Sequence, residues 1–223
     1  MTILRWAYEI FPYLAVFACL GISVLRYSRW GLSVSSLSSQ FLEGQQLFWG
    51  SVPWHYGIGL VLLGHLFVFA WPGSISLLGM VPSRLLALEV FALVCGLLAV
   101  SGLIFLCIRR LTSDRVFAVT TKLDFVVLVL LLLQCLSGVL IAVFYRWGAS
   151  WYAGTLVPYL WSLLTLKPDS TYVVKLPHLI QLHVMMAFLI IGLIPFTRLI
   201  HLFSIPFSYL CRPLQVVVWN RKK

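Results

Sequence analysis

Carboxylates are scarce in this sequence: six Asp and Glu stand among 223 residues, and charged residues of either sign make up 10%. A soluble globular domain carries roughly a quarter charged residues, so that class is excluded before any motif is read. Cysteine offers little chemistry. Cys19, Cys95, Cys107, Cys135 and Cys211 show no CxxC spacing and fall mostly inside apolar runs, where the thiol behaves as a small hydrophobe. They are given no metal or redox role. A small-residue cleavage site after the early apolar run is also missing, so the first hydrophobic segment is expected to remain in the mature chain.

What is present is apolar length. Residues of the hydrophobic class make up 61% of the chain. A hydrocarbon core about 30 Å thick takes about 20 such residues as a helix, and backbone groups that meet no water leave no other form for runs this continuous. Five runs qualify, over about 6–25, 52–71, 85–108, 123–145 and 179–203. The expected fold is therefore an all-α integral membrane protein, a single membrane domain over 1–223 with five transmembrane helices. The stretch 150–166 is aromatic, with Trp151, Tyr152, Tyr159 and Trp161, but Pro158 breaks it. It is expected to lie at the membrane interface on the outer side.

The net charge of +10 sits in short loops and a tail, which makes it a topology signal and not a nucleic-acid surface. One side would hold Arg26, Arg29, Arg109, Arg110, Arg115, Lys122, Arg198, Arg212, Arg221, Lys222 and Lys223; the other only Arg5, Arg84, Arg146, Lys167 and Lys175. The N-terminus is then extracytoplasmic and the C-terminus cytoplasmic, with 204–223 as a cytoplasmic tail. The part of that tail from Tyr209 to Lys223 and the loop from Arg109 to Lys122 are the expected docking surface for a cytoplasmic partner, with anionic lipid as the plainer alternative for the tail cations.

Ionisable residues inside spans are costly and mark functional positions. His183 and His201 are 18 residues apart, which in a straight helix is five whole turns and about 27 Å on one face. His55 and His65 on the second span are ten residues apart, about 15 Å along the axis. If the second and fifth helices run antiparallel, His55 meets His201 at one depth and His65 meets His183 at the other, although the two axial separations do not match for straight cylinders. Two histidine pairs at two depths suit the axial ligands of two haems, since zinc usually asks for a third protein ligand or a thiolate. With no CxxCH for covalent attachment, they would be b-type. The competing reading is four unrelated histidines at helix interfaces. Gly57, Gly59 and Gly64 would let a flat macrocycle approach the backbone. His178, just after Pro177, reads as an interfacial residue, Gln134 as a bond to a neighbouring helix, and Arg109, Arg110 and Arg198 either as propionate partners or as flanking charge.

Several stretches carry a family resemblance: Glu9-Ile-Phe-Pro-Tyr-Leu, Gly64-His65, Arg109-Arg110-Leu-Thr-Ser-Asp-Arg-Val, Gln134-Cys135, and above all the run from Pro195 through His201 to Pro206. They resemble the gamma subunit of the membrane-bound respiratory nitrate reductase over nearly the whole chain. The resemblance implies a dihaem cytochrome b of a bacterial or archaeal cell membrane. Such a subunit oxidises quinol and passes electrons to a cytoplasmic iron–sulfur (beta) subunit, which feeds a molybdenum (alpha) subunit where nitrate is reduced. In that family the haem nearer the cytoplasm takes His55 and His201 and the outer one His65 and His183, and no catalytic residue belongs to this chain. Such subunits can carry a lysine near the quinol pocket at the start of the third helix; here the cation in that region is Arg84, followed by Leu86 and Leu88. Quinol is expected near the outer haem, bordered by Gly64 and Arg84. Arg84 can only donate, so a propionate, Glu89 or water would accept the protons.

Three other functions share these features: the same dihaem role in a nitrite or sulfur-cycle oxidoreductase, a passive anchor with incidental histidines, and a transporter relaying protons. The last lacks the inverted repeats and matched broken helices of carriers.

Overall fold

The computed structural model of the protein describes residues 3–30, 39 and 42–203, and the expected tail, with Arg212, Arg221, Lys222 and Lys223, lies outside them. Five helices are long and apolar enough to cross a membrane, and the chain is a multi-pass membrane protein. We label them α1 (Phe11–Trp30), α2 (Gln45–Ala70), α3 (Pro82–Thr112), α4 (Lys122–Phe144) and α5 (His178–Leu193). α2 starts well before the expected Val52 and α3 runs past the expected Ile108, because apolar count marks the hydrocarbon depth while hydrogen bonding continues the helix into polar ends. α2 packs on α3, α3 on α4, α4 on α5 and α5 on α1.

Prolines shape the ends. Pro12 has no N–H for the carbonyl of Tyr8, and the turn before it widens into a π-turn over Trp6–Ile10. The Tyr159 hydroxyl donates to the freed Tyr8 carbonyl at 2.7 Å. A second π-turn, Tyr152–Leu156, precedes Pro158 in the same way.

Pro195 overturns the expected straight fifth helix over 179–203. It cannot donate into the helical ladder, so α5 closes at Leu193, a 3₁₀ turn covers Ile194–Phe196, Thr197 is extended (φ −123°, ψ 179°), and a second 3₁₀ segment spans Arg198–Phe203. Arg26 of α1 donates to the Pro195 carbonyl at 2.6 Å. His201 therefore stands on a separate segment from His183, and the 27 Å separation on one face no longer applies.

The stretch around 150–166 buries one face against the bundle and leaves Trp161, Leu164 and Leu166 exposed on the other. Tyr159 is fully buried, and Leu156, Val157 and Leu163 are buried with it. Leu156, Tyr159 and Leu163 join Tyr8, Ala15, Ile141, Ile180, Val184 and Phe188 in one core cluster, and Val157 packs with Val68, Ile75 and Leu85 in another. Tyr13 donates to the Leu163 carbonyl at 2.9 Å, and Trp161 stacks on Phe69 with centroids 5.4 Å apart. An aromatic-rich composition suits either a lipid interface or a protein core; only the partners distinguish them.

At the opposite end of the bundle Arg109 is 2% exposed. Its Nε donates to Glu43 Oε2 at 2.7 Å, Nη1 to Ser39 Oγ at 3.0 Å, and Nη2 to the carbonyls of Ser39 and Glu43 at 3.1 and 2.7 Å. The guanidinium is thus consumed in tying the turn before α2 to the end of α3. The Gln46 amide foremost, and then Arg109, hold the Glu43 carboxyl below the usual carboxylate range. A depressed folded value means that the tether contributes fully above the ordinary carboxylate range and weakens as pH falls through the folded value. Arg109→Ala is expected to release the turn at neutral pH, and acid to release it in the unchanged protein. Limited proteolysis between residues 39 and 44 across a pH series reads both.

Candidate functional site

His55 and His201 stand together as a pair. Their ring centroids are 6.5 Å apart and their planes 65° to one another. Two metal–nitrogen bonds of about 2 Å each, with ~1 Å from nitrogen to ring centre on either side, sum to about 6 Å, so the spacing admits one metal ion between the rings. Each ring is aimed from its own segment: His55 Nδ1 is 2.7 Å from the Ser51 carbonyl and His201 Nδ1 2.6 Å from the Arg198 carbonyl. A carbonyl can only accept, so the proton is on Nδ1 and the lone pair on Nε2, the arrangement of a ligating imidazole.

At the other depth His65 repeats this device, with Nδ1 2.8 Å from the Val61 carbonyl. Tyr152 covers it edge to face at 5.2 Å and donates to the His65 carbonyl at 3.3 Å. His183 belongs to α5. Its ring is held from α4: Ser137 Oγ is 2.8 Å from Nδ1, and the Gln134 amide nitrogen is 3.2 Å from Nε2. Among the described residues α2 and α5, the two helices that carry His55, His65 and His183, are not a close-packed pair. Gly59 and Gly64 meet nothing within 4 Å where a Cβ would stand, so α2 presents open space beside its histidines. Gly57 is different. Its missing Cβ would lie 2.6 Å from the Ala99 nitrogen and 2.7 Å from the Cys95 carbonyl, which makes it a helix-contact glycine between α2 and α3 and corrects its expected role beside a macrocycle.

The sequence as a whole matches the model of a family described as the nitrate reductase gamma subunit, over residues 5–220. The chain belongs to this family. It is similar to the nitrate reductase gamma chain of Bacillus subtilis (strain 168), 31% identical over 96% of each chain. It is also similar to the respiratory nitrate reductase 2 gamma chain of Escherichia coli (strain K12), 32% identical over 94% of each. The respiratory nitrate reductase 1 gamma chain of the same organism is 32% identical over 94% of this chain and 95% of its own length. These relatives are chains of nitrate reductase, an oxidoreductase complex.

Within this gamma-subunit fold the remaining candidates separate. Arg110 and Arg198 converge on Asp124: Arg198 Nε is 2.8 Å from Oδ1, and Arg110 Nη1 is 3.8 Å from Oδ2 and donates to Thr120 at 3.0 Å. Asp124 also closes the capping box of α4 with Thr121. Arg84 is exposed in the first turn of α3, and His178 is exposed at the start of α5. Glu89 accepts from the Trp147 and Ala149 amides, both at 3.3 Å, which ties α3 to the turn after α4.

Sequence reasoning missed Asp124, Ser137 and the contact of Tyr152 with His65. Asp124 was the legible one, because a carboxylate three residues after Thr121 at the start of an apolar run is a capping signature. A lone serine in a span and a tyrosine in an aromatic loop carry no comparable signal.

Proposed function

We propose that this chain is the electron-carrying membrane subunit of a quinol-dependent respiratory nitrate reductase, with its N-terminus outside and its C-terminus in the cytoplasm. The observation that carries the reading is the His55–His201 pair, spaced for one metal ion with both Nδ1 atoms already engaged. His55 and His201 would hold the inner haem b, and His65 and His183 the outer one. Bis-imidazole haem supplies a one-electron centre with no open position for substrate. His183 enters this role once the Gln134 amide turns off its Nε2.

The protein's own groups provide the setting. Arg198 lies on the segment of His201, and with Arg110 it meets Asp124 beside that segment, which brings two guanidinium groups to the end of the bundle where a propionate would be bound. Gly64 leaves room beside His65, and Arg84 would orient a quinol ring as a donor while water or a propionate takes the protons. At the cytoplasmic end, the loop from Arg109 to Lys122 and the tail would receive the iron–sulfur beta subunit, which passes electrons to the molybdenum alpha subunit. Nitrate chemistry belongs there.

An electron that moves inward while its proton leaves outside works against the membrane potential, at about 2.3 kcal/mol per 100 mV for a full crossing. In sealed vesicles of known orientation, quinol oxidation coupled to nitrate is expected to release protons on the side of the N-terminus. Release on the opposite side would place the quinol pocket at the wrong end and overturn this reading.

A further inference from the structure

We propose that Ser137 is the positioning residue of His183, and that it sets the electron density of the outer haem's ligand independently of the inner site. The inference rests on the assignment of His183 as an outer ligand made above. Its basis is a difference among the four histidines. His55, His65 and His201 direct Nδ1 to a main-chain carbonyl three or four residues earlier in their own segment. The Nδ1 of His183 instead meets a side-chain hydroxyl of another helix.

α4 builds this cradle from Gln134, Ser137 and Gly138, which lie on one face at i, i+3 and i+4. Ser137 is buried, and its hydroxyl donates to the Gln134 carbonyl at 2.8 Å. A serine has one proton, so toward His183 Nδ1 the oxygen can only accept. With that proton given to the carbonyl, the imidazole proton lies on Nδ1 and Nε2 carries the lone pair. In that tautomer the Gln134 side-chain nitrogen, 3.2 Å from Nε2, is the donor to it. The side-chain oxygen of Gln134 is buried without a partner, so the amide is held on one side alone. Gly138 completes the cradle: a Cβ there would stand 3.2 Å from His183 Cε1, so its absence lets the ring lie against α4.

Partners of the non-ligating nitrogen orient an imidazole ligand and raise its basicity. A hydroxyl that is already donating is a polarised acceptor. Losing it leaves the Nδ1–H without that acceptor, makes the ligand less basic, and favours ferrous over ferric iron. The inner histidine pair does not touch α4 through Ser137 and is left unchanged.

The test uses the complete membrane complex with Ser137→Ala and Ser137→Thr, read by redox titration of the optical spectrum and by electron paramagnetic resonance of each ferric haem. Ser137→Ala is expected to move the midpoint potential of the outer haem upward and alter its resonance position, with the inner haem unmoved. Ser137→Thr is expected to restore both. If Ser137→Ala strips the outer haem altogether, recovery of haem in Ser137→Thr supports the hydroxyl, and failure to recover refutes it. Two retained haems with unchanged outer signals in Ser137→Ala would overturn the inference and leave the haem assignment standing. An unaltered complex with no second haem would instead sink that assignment, and this inference with it.

Discussion

His201→Ala is expected to lower the b-haem content of the purified complex from two per chain to one, and His55→Ala to remove the same haem. Quinol-driven nitrate reduction should fall to background in both, because the proposed electron path through the inner haem would be interrupted. The two rings meet at 6.5 Å from different elements, so under the proposed assignment the loss of either leaves the inner haem with one ligand. Pyridine haemochrome quantifies the loss, and low-temperature spectra identify which haem remains. The counterpart substitutions, His65→Ala and His183→Ala, should remove the other one. A crossed pattern, in which His55 shares its haem with His183, would refute the antiparallel pairing of α2 with the end of the fifth span.

The second large effect is expected at the contact of α2 with α3. A Cβ on Gly102 would lie 2.5 Å from the Trp54 nitrogen, 2.7 Å from the Gly50 carbonyl and 2.9 Å from Trp54 Cα. These are backbone atoms, so no rotamer can yield and the helices themselves must separate. Helices in lipid are held by such close packing, with little hydrophobic drive between them. Gly102→Ala should therefore cost about 1–3 kcal/mol, and Gly102→Val more. Because Trp54 precedes His55, the damage should spread to the inner site, as lost or shifted inner haem. Unfolding in mixed micelles, followed by haem absorbance and by far-UV signal, measures both. Gly21→Ala is the control. Nothing lies within 4 Å of that position, and the helix should gain about 0.5–1 kcal/mol from the reduced backbone entropy of the unfolded chain.

These two expectations draw on different sources. The four histidines and the five spans are legible along the chain, because a membrane forces helical hydrogen bonding on any long apolar run and makes each buried ionisable group conspicuous. The arginines are legible only as charge. Arg109 binds Glu43 and Ser39 of its own protein, whereas Arg110 and Arg198 meet at Asp124; both are flank cations by position, and only their partners separate them. The glycines divide in the same way. Gly57 and Gly64 lie on one helix seven residues apart, yet the first sits against α3 and the second beside open space.

Sequence alone determined the class of fold and the number of helices long enough to cross, and it singled out the histidines proposed to hold iron, because these follow from apolar length and from the cost of polarity in hydrocarbon. Tertiary structure decided the rest. Pro195 announces a break but not its direction, and it is the extended Thr197 and the following 3₁₀ turn that place His201 against His55. The aromatic stretch docks one face on the bundle, where Tyr8, freed by Pro12, offers a carbonyl to Tyr159. Ser137 acquires a role only where α4 packs on α5. In each case the deciding partner is far away in the chain, and local periodicity carries no information about which helix faces which.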